Sequence, residues 1–449
     1  MDHNQFKTPI NPTDAPNNQP LHQAYMQNHL VKQIQKKSPG RYLSTKGSGA
    51  YGKFTVTQDL KKYTSAKLFS EIGKETKIFA RFSTMLAEKG SADTERDIRG
   101  FSLKFYTEEG NWDLVGSSSP VFYVKEPSNF AAFMQSHSRD PRTNLKSETA
   151  RWNFYSTHPE SLHQLLINSS DRGIPFGYRH MNGYGTHTYA FINAAGERFW
   201  VKFHFKPKQG TKNFTGAEVD KTDFAQQDLV HAVDTANYPR WTLFIQIMTM
   251  EEANGYRWNP FDVTKVWLQD DFPLIEVGDL ELNKIPEDYF SHVEQATFSP
   301  GTIVPGIGFS PDKMLQTRIF AYTDAHQNRT GLHAEQLQVN RNPYIQPSYF
   351  ASEISHAALT TFTSYDHEDD HYTQPGLFYT KALTDETRAI LVENIIKSMK
   401  QVSGPEKHSI INRQLCHFFR ANIELGMKIA MGLQVNIDAN MMSHTMNQL

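Results

Sequence analysis

FWVKFHF, residues 199–205, places Phe199, Val201, Phe203 and Phe205 on one side of an extended chain and Trp200, Lys202 and His204 on the other. Successive side chains of a strand point to opposite faces, so this period-two alternation reads as a β-strand with one wholly apolar face. The opposite face carries a polar set that needs partners. Working outward, IFARFS (78–83), RGFSLKFY (99–106), PVFYV (120–124) and HTYAFIN (187–193) are equally rich in aromatic and β-branched residues. Gly, Asn, Asp and Ser separate them, which predicts short strands joined by turns. Helical patterns interrupt the strands at 161–169 and 224–233. An antiparallel barrel within an α+β domain is the economical fold, because closure removes exposed sheet edges.

The flanks differ from this middle. Residues 1 to about 24 carry Pro9, Pro12, Pro16 and Pro20 among Asn, Gln and Asp, and read as an arm that cannot fold alone. A helix is expected from about 21 to 37, ending before Pro39-Gly40. In RYLSTKGSGAYGKFTV (41–56), Gly47, Gly49 and Gly52 interrupt a strand-like pattern and let another surface approach the backbone. From about 340 to 375 periodicity is lost in a polar, loop-like stretch containing DHEDDHY (366–372), which is either a metal site or a solvated charge run. Leu391, Ile395 and Met399 then recur at helical spacing, Gly404-Pro405 stops that helix, and 411–433 continues the helical pattern.

With 449 residues and a formal charge of −2, the chain can bury a large core and has no basic excess for a nucleic-acid partner. Cys416 is the one cysteine, which excludes a disulfide framework and a multi-cysteine zinc site. No apolar run is long enough to span a bilayer, and the polar N-terminus does not read as a signal peptide; a soluble, cytoplasmic protein is expected, with no membrane partner.

One further stretch points to chemistry. RIFAYTDAHQNR (318–329) puts Arg318 and Tyr322 one helical turn apart on one face, with Arg329 returning to roughly that face two turns later. A guanidinium held against a phenol oxygen favours the phenolate, and a phenolate is a good ligand for ferric haem iron. An ordinary amphipathic helix with a tyrosine at its edge remains the other reading of this stretch.

KGSGAYG (46–52), ARFST (80–84), ERDIRGFSLKFYTEEGNWDLVG (95–116), RHMNGYGTHTY (179–189), NPFDVTKVW (259–267) and SPDKMLQTRIFAY (310–322) together resemble the haem catalases over nearly the whole chain. The resemblance implies an α+β protein: an N-terminal arm and helix (1–45), a haem-binding β-barrel unit including the Tyr322 helix (46–322), a shortened wrapping loop (323–375) and a C-terminal helical unit (376–449). It also implies haem b, a small-molecule substrate and a homo-oligomer, tetramer or dimer. Tyr322 matches the axial ligand of the haem iron, and Arg318 the arginine that keeps it ionised. Arg41, Arg81 and Arg329 match cations that bind the haem propionates. His204 matches a histidine near the haem face that carries the tyrosine, Phe130 the ring over the opposite face, and Met314 a further cofactor contact. Ser83 matches a serine that supports the catalytic histidine, and Asp97 the acid at the mouth of the channel.

The departures fall on the catalytic side. The resemblance puts Ser44 where the family has its proton-relaying histidine, Ser117 where an asparagine orients peroxide, and Met85 where a valine lines the channel. A serine hydroxyl is neither a base nor an acid of useful strength at neutral pH, so peroxide dismutation is expected to be weak or lost. An oxidoreductase acting on hydrogen peroxide or another small peroxide or N–O compound is expected; the alternative is a non-catalytic haem sensor, store or carrier. An NADPH site is left open, since His180 and Trp267 match the family while Gln269 replaces a histidine.

Overall fold

The computed structural model describes residues 40–41, 43–215, 221–331, 333–345 and 370–436. The expected arm, the 21–37 helix, residues 346–369 of the wrapping segment and most of DHEDDHY lie outside the described residues. Ten strands are present among the described residues: β1 (Gly47–Val56), β2 (Glu75–Thr84), β3 (Arg99–Thr107), β4 (Gly110–Ser117), β5 (Gly183–Tyr184), β6 (Tyr189–Ile192), β7 (Arg198–Pro207), β8 (Arg240–Met248), β9 (Ile275–Lys284) and β10 (Ile307–Phe309). FWVKFHF forms the body of β7. One edge of β7 pairs with β8 from Trp200↔Met248 to Pro207↔Trp241, and the other with β6 and β5. The antiparallel ladder runs β7-β5-β4-β3-β2-β1-β9-β8 and returns to β7, closing an eight-stranded barrel.

The alternation in β7 sets the two sides of that barrel. Val201, Phe203 and Phe205 join Phe54, Phe82, Phe101, Phe105, Trp112, Leu243 and Ile245 in the interior. Phe105 stacks on Trp112 at 4.6 Å between ring centres, and Phe101 on Phe205 at 5.3 Å. Each such ring taken out of water contributes about 1.5–3 kcal/mol. The other face is covered as well: Trp200 packs with Phe261 and Trp267, while Lys202 and His204 are buried beside it. Close approach needs glycine at one seam. A side-chain carbon at Gly116 would lie 1.9 Å from Tyr184 O, where β5 meets β4 through the single pair Ser117↔Tyr184.

PVFYV departs from expectation: it forms no strand. Pro120 has no N–H for a ladder. Val121, Tyr123 and Val124 are buried instead in a second core, built mainly from helices. The helices are α1 (Pro127–His137), α2 (Glu148–Thr157), α3 (Leu162–Ser169), α4 (Phe224–Asp234), α5 (Met250–Gly255), α6 (Lys313–Thr330), α7 (Thr373–Leu377), α8 (Asp385–Met399), α9 (Lys407–Ala421) and α10 (Ile423–Leu433). Trp152 and Leu166 meet Leu391, Phe418 and Leu425 in that core, which fastens the C-terminal helices to α2 and α3. The 411–433 pattern divides at Asn422, whose side chain accepts from Leu425 N and restarts the chain as α10.

α6 carries Arg318 and Tyr322. Asp312 caps it, its Oδ1 accepting from Met314 N at 2.9 Å and Leu315 N at 3.1 Å. The helix runs past residue 322, the expected edge of the barrel unit, to Thr330, because no breaker intervenes before Gly331. No helix among the described residues is long and apolar enough to cross a membrane.

Candidate active site

The cap of α6 and the tyrosine two turns along it belong to one chain of hydrogen bonds. Arg318 Nη2 donates to the Tyr322 oxygen at 2.7 Å, and the guanidinium lies 5.0 Å from the centre of the tyrosine ring. Arg318 Nη1 is 2.6 Å from His187 Nε2, and His187 Nδ1 is 2.6 Å from Asp312 Oδ2. Arginine has only donors, so Nε2 accepts and the imidazole proton resides on Nδ1, donated to Asp312. Burial pushes His187 below the usual histidine value although Asp312 opposes it, which suits this neutral tautomer. Burial alone would lower Arg318, yet its value is raised, because Tyr322 and Asp312 favour the cation.

A second group of charges lies beyond Tyr322. Arg41 Nη2 donates to Glu294 O at 2.8 Å and Ala296 O at 2.9 Å; Arg329 donates to the same two carbonyls at 2.6 and 2.8 Å. Arg81 Nη2 donates to Ser44 O at 2.9 Å. Burial lowers all three arginines, with Arg329 brought down to about 10, and mutual repulsion adds to this at Arg41 and Arg329. Glu294 is the carboxylate among them, 3.2 Å from Arg41 Nη1. Arg81 Nε and Arg41 Nη1 are buried without a hydrogen-bond partner. A side-chain carbon at Gly47 would lie 2.6 Å from Arg81 Nη2, so this glycine leaves the guanidinium its space.

The wall carrying Ser44 is different. Ser83, Gly100 and Ser117 sit in one cross-strand row of β2, β3 and β4. A carbon added at Gly100 would lie 2.5 Å from Ser83 Oγ and 3.8 Å from Ser44 Oγ, so both hydroxyls border the space that glycine keeps open. Ser117 Oγ donates to Ser119 O at 2.9 Å and lies 3.2 Å from Thr186 Oγ1. Ser44 has φ of +57°, a left-handed backbone that a serine seldom adopts. Its N–H is held by Met85 O at 3.0 Å. Leu43, Met85, Phe122 and Phe130 are half-buried and pack on the helical core, which includes Met314.

These arrangements have counterparts in known proteins. The model of the family described as Catalase matches residues 10–374, and that described as Catalase-related immune-responsive matches 365–433. The chain is 46% identical to the Catalase of the Onchocerca volvulus endobacterium and to Catalase A of Pseudomonas putida, each over 91% of this chain and 93% of the relative. This chain belongs to the catalase family. Among solved structures, one titled "Structure of a bacterial catalase" superposes with a TM-score of 0.85 at 33% identity, covering 96% of this chain and 93% of that one. Catalase A from Saccharomyces cerevisiae gives 0.84 at 35% identity, covering 91% and 93%. The protein is therefore an oxidoreductase of the catalase fold.

Within this catalase scaffold the surroundings of several expected residues can be described. The imidazole that reaches Arg318 is His187, which the sequence reading did not single out, while the Nε2 of His204 pairs with Gln246 Oε1 at 2.9 Å on the outer face of β7. His187 stands in the quoted RHMNGYGTHTY stretch and Asp312 in SPDKMLQTRIFAY; only the fold brings them together. Asp97, expected at a channel mouth, is 5% exposed, and its Oδ2 accepts from the backbone N–H groups of Met85, Leu86 and Ala87. It pins the turn that holds Ser44. Trp267 lines a small crevice with Tyr184, Lys202 and His204, and His180 Nδ1 pairs with Gly210 O.

The residues around Tyr322 fit a haem. Three guanidinium groups with one carboxylate among them, Arg81 Nε buried without a hydrogen bond and Arg41 Nη1 ion-paired to Glu294, form a cradle that suits further negative charge such as two propionates. Among the described residues no group of three or more His, Cys, Asp or Glu side chains offers a competing metal site.

Proposed function

We propose that this catalase-family oxidoreductase binds haem b and acts on hydrogen peroxide or another small peroxide or N–O compound, with peroxide dismutation weak or lost. The observation that carries it is the Asp312–His187–Arg318–Tyr322 chain, which aims a charge-assisted hydrogen bond at a phenol oxygen. Tyr322 would be the axial ligand, and Arg41, Arg81 and Arg329 would hold the propionates. A ferric haem, when bound, supplies an iron that accepts oxidising equivalents from a peroxide. His187 keeps the Arg318 fork aligned, and Arg318 keeps negative charge favourable on the tyrosine oxygen. On the other wall Ser44 and Ser83 offer hydroxyls that orient a small polar substrate but do not carry a proton between its oxygens. Phe130, Met85 and Leu43 give that wall an apolar lining that restricts what enters. We place the enzyme in the cytoplasm as a homo-oligomer.

The test is the ferric absorption spectrum of the purified protein with and without peroxide, read beside oxygen evolution. A Soret band that responds to peroxide with little oxygen released supports the reading; absence of a Soret band sinks it. A second reading, a haem carrier without turnover, is favoured by the lack of an acid–base side chain at Ser44. Rapid haem transfer to apomyoglobin would select the carrier, and retention of haem until denaturation would select the enzyme.

A further inference from the structure

The cluster of Phe79, Tyr106, Val115, Val293, Ala296, Phe298 and Val339 is shared by two half-buried tyrosines, Tyr322 and Tyr51. Tyr51, on β1, lies 4.7 Å from the Phe79 ring, and its hydroxyl is 2.6 Å from His292 Nδ1. Among the described residues two other tyrosine hydroxyls pair with a histidine, Tyr155 with His137 at 2.7 Å and Tyr372 with His417 at 3.0 Å, but both lie in the helical half. Burial also weakens their imidazoles as bases, bringing His137 down to about 4 and lowering His417. His292 is partly exposed, so a proton it receives has a way out. Tyr106, the buried tyrosine of the same cluster, donates to Val339 O, a carbonyl that takes no proton.

From this placement we infer that Tyr51 and His292 form a redox relay by which the Tyr322 site draws single electrons from a small phenolic donor. The inference rests on the function proposed above. Burial pushes the Tyr51 phenol up to about 12, so an electron leaves it readily only if its proton leaves too. In the forward step Tyr51 gives one electron toward the oxidised site and its O–H bond breaks, the proton passing to His292 Nδ1. A neutral phenoxyl radical and an imidazolium result. A donor phenol then gives Tyr51 one electron, His292 returns the proton to it, and the donor's own proton goes to solvent. Two such turns deliver two electrons, which with two protons from solvent reduce one hydrogen peroxide to two waters while two phenols become phenoxyl radicals.

Two measurements test the relay. In the first, the haem-loaded protein containing ring-deuterated tyrosine is mixed with hydrogen peroxide, frozen and read by electron paramagnetic resonance. A phenoxyl signal that Tyr51→Phe removes, with the Soret band unchanged, is the expected result. In the second, a photogenerated one-electron oxidant replaces peroxide, and peptide mapping measures modification at Tyr51. His292→Phe is expected to lower it by about 10²-fold, the low end of what a positioned proton acceptor contributes. A peroxide-derived radical that survives Tyr51→Phe overturns the relay, as does equal modification with and without His292. A protein that takes up no haem sinks the functional reading as well; a haem protein lacking a Tyr51 radical sinks the relay alone.

Discussion

The two walls that face each other across the proposed haem space are built on opposite plans. On the α6 side, three side chains of one helix and its cap and a fourth from His187 are joined by hydrogen bonds of 2.6–2.7 Å, each engaging an ionised group or a neutral imidazole of defined tautomer. On the Ser44 side the polar atoms are hydroxyls, set in a strand row and beside a left-handed turn, with apolar neighbours. The first wall is organised to hold a charge. The second offers hydroxyls and apolar surface. Under the proposed function, that contrast separates holding a cofactor from using it.

The comparison breaks most completely at Tyr322. Tyr322→Phe removes the phenol oxygen to which Arg318 donates at 2.7 Å, and haem retention, read from the Soret band after gel filtration, is expected to fall by at least about 10²-fold. Next in size is the reverse change on the other wall. Ser44→His with Ser117→Asn is expected to raise oxygen evolution from peroxide by about 10²–10⁴-fold. The φ of +57° at residue 44 favours this, because histidine and asparagine occupy that region more readily than most side chains. If oxygen evolution does not rise, the wall differs by more than its missing relay.

Smaller effects sharpen the contrast. His187→Ala removes the imidazole that accepts from Arg318 Nη1 and donates to Asp312, and is expected to weaken haem binding about 10–100-fold while leaving the 44–87 region intact. Asp97→Ala frees three backbone N–H groups and is expected to cost about 1–3 kcal/mol in urea unfolding, with haem retention kept. Acid acts on the α6 wall and on the helical core. His187 and His137 are neutral in the fold because burial lowers them, His137 to about 4, whereas the unfolded chain titrates near 6.5. The unfolded state therefore binds more protons below about pH 6.5, so stability present above that pH is lost as pH falls toward 4. Thermal melts between pH 7 and 4 measure the slope, and His137→Gln should flatten part of it.

Legibility in the sequence followed the range of the interaction. FWVKFHF announced β7 and both sides of the barrel, since alternation is a local property of the strand. The i, i+4 spacing of Arg318 and Tyr322 announced their contact, and a hydrogen bond of 2.7 Å joins them. PVFYV misled because burial on a helical core produces the same apolar run as a strand. His187 was passed over although it lay in a quoted motif, because a buried histidine gives no sign in the sequence of which distant group it faces. Asp97 accepts three backbone N–H groups, a clamp that its position in the chain did not announce.

By itself the sequence determined the strand alternation, the helical run with its Arg–Tyr spacing, and the presence of hydroxyls at 44, 83 and 117, because each depends on residues near one another in the chain. Only the tertiary structure decided that His187 and Asp312 stand behind Arg318, that three arginines from residues 41, 81 and 329 converge, and that Tyr51 meets His292 beside the same cluster as Tyr322. Those contacts join residues more than a hundred positions apart in most cases. Barrel closure and side-chain packing create them, and no periodicity in the chain encodes which distant group will be the neighbour.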